Sequence, residues 1–272
     1  MKILAIDTSG MAVSAAVAED GVLLAYYWNR HGKTHAEALT PCIDAVLRGL
    51  NLDLGDIGAF SAITGPGSFT GLRIGVSLIK GFAYARNAMT IGISTLDALA
   101  FGIDPDNAAL TCPVMDARNK NVYQAIYGER AAISVENTET GATGAAGRGQ
   151  AGEADAEKPM AAGAVRLAEP AMVSIGDSIR RLQTVTDKNS RIKRMVFNGD
   201  AAAAYIDYYK KGLRGVECML AGGERMFQNA SSAALLACEA ANAGLMIPPE
   251  LLAPDYLNAG YAGINAPGQT QR

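Results

Sequence analysis

Gly65-Pro66-Gly67-Ser68-Phe69-Thr70-Gly71-Leu72-Arg73 joins an apolar run, Ala59-Phe60-Ser61-Ala62-Ile63, to a helical pattern of Leu72, Val76, Ile79, Phe82 and Ala83. A glycine-rich turn between a strand and a helix gathers backbone N–H groups at the positive end of the helix. Turns of this kind that bind a ligand mostly bind phosphate, yet no lysine follows the last glycine as it does in a phosphate loop. The nine residues therefore either hold an anion in an unusual way or shape a surface for a partner. Arg73 sharpens the question. It is a cation in the first helical turn, where the dipole disfavours positive charge. That placement predicts a specific anionic partner: a phosphate, a carboxylate of this chain, or a carboxylate of another protein.

Working outward, Lys2–Ile6, Val13–Val17 and Val22–Trp28 read as three antiparallel strands, the last two joined by the turn Glu19-Asp20-Gly21. Leu39, Cys42, Ile43, Val46, Leu47 and Leu50 then repeat with helical spacing. Thr34 and Glu37 are placed to form a capping box. Pro41 either bends this helix or marks its start, with Thr40 as the cap. A short strand, Thr90–Ile93, and a helix capped by Ser94 and running through Leu99 close the first unit. The pattern then restarts. Leu110–Met115 ends in Asp116 as Lys2–Ile6 ends in Asp7, and Val122–Tyr127 follows the turn Arg118-Asn119-Lys120-Asn121. This points to an internal duplication, with two coincidental strand–Asp turns as the competing reading. Further helices are expected at Ile175–Leu182, Ala201–Lys210 and Ser231–Ala243, the last capped by Ser231 or Ser232, and a strand at Arg194–Phe197.

The 272 residues suffice for one large domain or two lobes. Hydrophobic residues make up 49% and charged residues 19%, the balance of a soluble globular chain. A net charge of −3 argues against a broad nucleic-acid-binding face acting alone. Asp7 interrupts the only apolar N-terminal run, and no stretch approaches the roughly 20 apolar residues of a membrane span, so a cytoplasmic location is expected. The four cysteines, Cys42, Cys112, Cys218 and Cys238, form no Cys-x-x-Cys pair and read as reduced, buried thiols. Between Thr138 and Ala164 the composition turns to Ala and Gly with scattered charge, which cannot offset its ordering entropy and reads as a mobile insertion. The expected lobes are 1–103 and 104–272, and the last helix has the option of packing back on the first lobe. The tail Ile264–Arg272 reads as frayed.

Three constellations are candidates for chemistry. His31 and His35 are the only histidines, spaced His-x-x-x-His as a helical metal pair requires. Gly32 lies between them, however, and no Glu does, so two ordinary loop and first-turn histidines are the better reading. Asp7-Thr8-Ser9-Gly10 offers a carboxylate and two hydroxyls at a strand end, either a phosphate-binding turn or a hairpin that satisfies its own N–H groups. Asn198-Gly199-Asp200 is a candidate for part of the facing side. No Ser/His/Asp set is apparent. The helices flanking the glycine loop carry small residues, Ala36, Ala38 and Ala45 on one, Gly75, Ser77, Gly81, Ala83 and Ala85 on the other, which permit close packing inside the lobe or against a partner.

Together these residues resemble the TsaB family, the dimerisation subunits of the bacterial machinery that makes threonylcarbamoyladenosine in tRNA. The stretches that carry the resemblance are Ile3 to Ser9, His35-Ala36-Glu37 with Pro41, Gly65 to Val76, Lys80-Gly81, Asp116-Ala117-Arg118 with Val122-Tyr123, and Pro254-Asp255-Tyr256-Leu257. The resemblance implies a two-lobed actin-like α/β fold of two ribonuclease-H-like halves, with Asp7 and Asp116 at equivalent strand ends. The catalytic TsaD paralogues carry a metal-binding His-x-x-x-His shortly after the loop and helix. Here Thr95 and Leu99 fall at those places, and neither is a competent ligand. The implied role is therefore a non-catalytic subunit, not an M22-type peptidase. Its implied partners are a TsaD-like catalytic subunit, a TsaE-like ATPase and a second copy of itself, with tRNA reached only through the complex. No cofactor is expected on this chain alone, and ATP or ADP and a metal ion are used by the assembly. The implied pairing surface lies on His35–Leu50 and Ser68–Arg86, with His35, Leu39, Ile43, Leu47, Ser68, Phe69, Leu72, Arg73, Val76 and Ile79 as its candidates. Periodicity leaves open which of these face a partner and which the core. Asp7, Thr8, Ser9, Gly67 and Asp116 are the candidates for a weak or shared nucleotide site. Asn258 stands where the family usually has arginine. The alternative reading is an ATP-dependent small-molecule kinase of the same fold.

Overall fold

The computed structural model describes residues 1–30, 34–103, 110–129, 164–189 and 191–257. The first half runs β1 (Lys2–Asp7), β2 (Val13–Glu19), β3 (Val22–Asn29), α1 (His35–Gly49), β4 (Ala59–Gly65), α2 (Phe69–Arg86), β5 (Met89–Ser94) and α3 (Thr95–Phe101). The second runs β6 (Leu110–Asp116), β7 (Asn121–Glu129), β8 (Ala164–Ser174), α4 (Ile175–Lys188), β9 (Arg194–Asn198), α5 (Ala202–Gly212), β10 (Glu217–Leu220) and α6 (Ala230–Asn242).

The two sheets have the same wiring. The first is ordered β3-β2-β1-β4-β5 and the second, read from its other edge, β8-β7-β6-β9-β10. In each, the first three strands form an antiparallel meander, and the fourth pairs in parallel with the first. The fifth pairs in parallel with the fourth. The expected duplication is therefore present, and the fold is the actin-like pairing of two ribonuclease-H-like halves. Asp7 and Asp116 close equivalent strands.

Helices α1 and α2 cover one face of the first sheet, burying Leu39, Val46, Val76 and Ile79 against Leu4, Ile6 and Phe60. The opposite face is covered by α6, whose Ala230, Ala233, Ala234 and Ala237 lie against Ile3, Ala5 and Ala16. The last helix of the chain thus packs on the first sheet. In the second half α4 and α5 cover one face, with Leu182, Ile206 and Tyr209 against Cys112, Val114 and Phe197. The short α3 sits between the sheets, its Leu96, Leu99 and Ala100 packed on Met115, Ala125 and Tyr127.

Several sequence expectations are revised. Helix α1 begins at His35 and runs through Pro41, so Thr40 is not a cap. The capping box of Thr34 and Glu37 fixes the start, with both reciprocal bonds made. Helix α6 is capped by Asn229, whose Oδ1 accepts from the N–H groups of Ser231 and Ser232, rather than by either serine. Ser94 occupies the cap position of α3 but makes no side-chain cap bond. Strands β8 and β10 were not anticipated. Pro170 and two register shifts against β7 break the alternation of β8, an edge strand where a proline is tolerated. The four residues of β10 are too few to show a period. The insertion expected at 138–164 lies outside the described residues but for Ala164, and Asn258, His31 and the tail lie outside them altogether.

Candidate functional site

A cleft of about 460 Å³ opens between the halves. Its first wall is built by Ser9, Gly10 and Met11 from the turn after β1, and by Gly67, Ser68, Phe69 and Thr70 from the glycine loop. Its second wall is built by Met115, Asp116, Ala117 and Arg118 after β6, by Tyr123, and by Asp200 after β9. The fold thus brings Ser9, Gly67 and Asp116 together. Asp7 and Thr8 lie beneath the first wall, buried, and do not line the cleft.

Part of the glycine loop's backbone is committed to its own chain. The Ser68 N–H donates to the Ser9 carbonyl at 2.7 Å, and the Gly71 N–H to the Ser68 hydroxyl at 3.2 Å. Thr8 Oγ1 donates to the Gly71 carbonyl at 2.7 Å, and Thr95 Oγ1 to that of Pro66 at 2.6 Å. A side chain at Gly71 would put its Cβ 2.0 Å from the Thr8 carbonyl oxygen. At Gly65, whose φ is +138°, it would lie 2.2 Å from the Asp255 carbonyl oxygen. The glycines therefore let the loop seat against the β1 turn and the C-terminal segment, which answers the composition without a phosphate.

Asp7 is held by this turn. Its Oδ1 accepts from the Ser9 N–H at 2.8 Å and the Ser9 hydroxyl at 2.7 Å, while Oδ2 meets no donor among the described residues. Burial raises the Asp7 pKa above the usual carboxylate value, against the opposing pull of the Ser9 bonds and of His35. His35, on the cleft rim, places Nε2 2.8 Å from the Gly10 carbonyl oxygen, which makes that nitrogen the protonated one. On the second wall, Asp200 Oδ1 accepts from the Asp116 N–H at 2.9 Å, so two carboxylates stand side by side there. Asn198 is turned away, its Nδ2 donating to the Leu99 and Arg225 carbonyls.

Thr95 and Leu99 are both buried, Thr95 bonded to Pro66 and Leu99 in the core between the sheets. Asp97 lies between them in sequence and takes both its oxygens to Arg166 Nη2 of β8, at 2.6 and 2.7 Å, and accepts the Tyr127 hydroxyl at 2.7 Å. Burial, then the Asp97 charge, holds the Tyr127 phenol well above its ordinary range, so it remains the donor. Sequence reasoning missed this junction. Asp97 in a first helical turn reads as a plain dipole partner, and Arg166 lies more than sixty residues away beyond the Ala/Gly stretch.

Of the candidates for the pairing surface, Leu39, Ile43, Leu47, Leu72, Val76 and Ile79 are buried in the cores of the first half. Their periodicity marks the inward side of each helix, where Leu39, Leu72, Val76 and Ile79 serve the chain's own core and Ile43 and Leu47 also line a groove. Ser68 and His35 are half-buried, while Phe69 and Arg73 are exposed. The outward side of α2 carries Thr70, Arg73, Ser77, Gly81, Tyr84 and Ala85, and that of α1 carries Ala36, Thr40, Pro41, Asp44, Ala45 and Arg48. A Cβ at Gly81 would meet nothing within 4 Å, so the chain itself does not require that glycine. Between the ends of the two helices lies an open groove of about 820 Å³ lined by Ile43, Leu47, Leu52, Leu54 and Phe82, with Arg48 and Arg86 on its rim.

The C-terminal segment completes the site. Ile247 bridges to Thr90 of β5, Lys80 Nζ donates to the carbonyls of Glu250 and Leu252, and the Asp255 N–H donates to the Thr64 carbonyl. This strap delivers Tyr256 to the start of α2, where its ring lies 5.1 Å from that of Phe69. The Arg73 Nε donates to the Tyr256 hydroxyl at 3.0 Å, and the guanidinium stacks 3.9 Å from the Phe69 ring centre. Arg73 makes no ion pair among the described residues.

The family model described as "TsaD: tRNA N6-adenosine threonylcarbamoyltransferase" matches residues 29–256. The chain is similar to the tRNA threonylcarbamoyladenosine biosynthesis protein TsaB of Escherichia coli, 38% identical over 128 residues, which are 47% of this chain and 55% of that protein. It is 34% identical to the Bacillus subtilis protein of the same name over equal shares of both chains. The chain thus spans about half the length of the curated relatives it matches. Its fold is similar to that of YeaZ from Pseudomonas aeruginosa, with a TM-score of 0.67, 20% identity, and coverage of 94% of this chain and 99% of that one. By this family match and these relatives, the chain belongs to the TsaB/YeaZ branch of the TsaD family.

Proposed function

We propose that this chain is a non-catalytic subunit for the synthesis of threonylcarbamoyladenosine in tRNA. It pairs through the outward faces of α1 and α2 with a TsaD-like catalytic subunit, and with itself when that subunit is lacking. The observation that carries the reading is the pair of faces itself. Small side chains line both helices, and Gly81 interrupts an exposed helix at a place its own chain leaves empty. A mid-helix glycine costs about 1 kcal/mol relative to alanine. Close approach of a second helix backbone supplies a reason to carry it.

The cleft supports the same reading. The glycine-loop N–H groups of Ser68 and Gly71 already have acceptors within the chain. The facing wall presents Asp116 and Asp200 together with Arg118, which pairs with Asp116 at 3.5 Å, a mixed surface rather than a basic cradle for polyphosphate. In this reading the catalytic subunit holds the metal ion and nucleotide, the ATPase subunit joins the assembled pair, and tRNA is engaged by the complex in the cytoplasm. Any contribution of Ser9, Gly67 and Asp116 to nucleotide binding is shared with the neighbouring subunit.

Reconstitution tests the proposal. With a TsaD-like and a TsaE-like protein from the same cell, this chain should be required for modification of an ANN-decoding tRNA, and alone should turn over no ATP with small hydroxylated substrates. Modification that proceeds equally well without the chain would refute it.

A further inference from the structure

We infer that Arg73 is the charged anchor of the pairing surface and that its outer fork receives a carboxylate of the partner protein; this rests on the pairing role proposed above. The guanidinium is held on one side by the Phe69 ring, 3.9 Å from its centre, and at Nε by the Tyr256 hydroxyl at 3.0 Å. The two rings are themselves in contact, 5.1 Å between centres. An arginine fixed by stacking and one hydrogen bond has surrendered its rotamer freedom before any partner arrives. Its two Nη groups, the pair that meets a carboxylate bidentately, carry no hydrogen bond or ion pair among the described residues.

Two features choose the ligand. The sequence places Arg73 in a first helical turn, but α2 begins at Phe69 and Arg73 is the fifth of its eighteen residues, just past the reach of the helix dipole; among the described residues the chain meets its charge with two aromatic rings rather than a carboxylate. That charge meets no anion among the described residues, which leaves it for an external one. Of the neighbouring backbone donors a phosphate would use, those of Ser68 and Gly71 are spent within the loop, and Asp116 and Asp200 stand across the cleft beside Arg118, which leaves triphosphate as the competing ligand to test. A planar two-oxygen acceptor on an approaching protein surface needs only the fork. Ser77 and Gly81, one and two turns further along the same outward stripe, leave that approach unobstructed.

The test is calorimetric titration of the full-length chain with the TsaD-like protein of the same cell, at low and high salt, with circular dichroism confirming that each variant is folded. Arg73→Glu should weaken pairing at least about 100-fold, and Arg73→Lys, which keeps charge but loses the fork, about 10-fold. Tyr256→Phe, which frees the guanidinium but keeps the ring, should weaken it several-fold. Inorganic triphosphate should not compete with the partner. An Arg73→Glu affinity within about threefold of the native chain would overturn the inference while leaving the pairing role standing. So would Arg73-dependent competition by triphosphate, which would make phosphate the ligand. Absence of pairing by the native chain would refute the pairing role itself, and the anchor with it.

Discussion

The loop after β4 and the turn after β9 are the same device built twice for different ends. Each leaves the end of a parallel strand and presses a glycine against the backbone at the end of the first strand of its sheet. A Cβ at Gly71 would lie 2.0 Å from the Thr8 carbonyl oxygen, and one at Gly199 would lie 2.3 Å from that of Val114. In the second half Gly199 is followed at once by Asp200 and then by α5. In the first half the loop is longer and ends by displaying Phe69 and Arg73. The helices differ in the same sense. The outward residues of α5 are small only at Ala203 and Ala204 and then turn to Asp207, Tyr208, Lys210 and Lys211, whereas those of α2 keep Ser77, Gly81 and Ala85 among Arg73 and Tyr84 along the helix. Shared architecture explains the buried glycines, and it does not explain Gly81 or the displayed pair Phe69 and Arg73 of the first half.

The sharpest way to break that comparison is at the buried glycines. Gly71→Ala and Gly199→Ala should each cost more than about 4 kcal/mol, or prevent folding, because backbone rather than a flexible side chain stands in the way. Denaturant titration measures this, and a well-folded Gly71→Ala protein would show that the loop seats differently. Val76→Asp should be comparably damaging, since its side chain is core. Next in size is the junction between the halves. Asp97→Ala leaves Arg166, 15% exposed, with the exposed Glu169 as its remaining ion-pair partner and should cost about 2 kcal/mol. A double-mutant cycle with Arg166→Ala that returned no coupling would remove the junction from the account.

Asp7 gives the first half a pH signature of its own, beside that of Asp200 in the second half, whose pKa burial also raises. Its folded pKa is raised, so the folded chain binds this proton more tightly than the unfolded chain. The associated stability is present at acid pH and is lost as pH rises from the ordinary carboxylate range through the folded pKa. Asp7→Asn keeps an acceptor for Ser9 and abolishes the titration. It should gain on the native chain by about 1 kcal/mol between pH 4 and pH 8 in parallel urea titrations. An unchanging difference would mean that Asp7 stays ionised. The smallest effect separates the two faces most cleanly. Gly81→Ala should stabilise the isolated chain by about 0.5–1 kcal/mol and yet weaken pairing, a combination that internal packing cannot produce.

Most of the architecture was legible in the chain. The meander, the helical periods and the restart at Leu110 follow from patterns set by burial on one face, and Thr34 with Glu37 announced a helix start that Pro41 obscured. Strand β8 was hidden because its bulges and proline erase the period of two. The site was legible in outline only. Periodicity identifies an apolar stripe but not whether own core or partner covers it, so Leu39 and Val76 could not be told from Ser77 and Gly81 before the packing was known. Arg73 was flagged by its position against the dipole, but its partner Tyr256 lies 183 residues away and is brought there by the strap. No local signal carries that contact, just as none joins Asp97 to Arg166.

The most direct test of the claim that the first half carries the partner surface is a pair of matched substitutions read by solution mass. Ser77→Arg on α2 and Ala203→Arg on α5 both place an arginine on an exposed helix position. The account predicts that both variants keep the stability of the native chain to within about 0.5 kcal/mol. It further predicts that only Ser77→Arg fails to form the heterodimer with the TsaD-like protein. A heterodimer that survives Ser77→Arg and is lost with Ala203→Arg would contradict it.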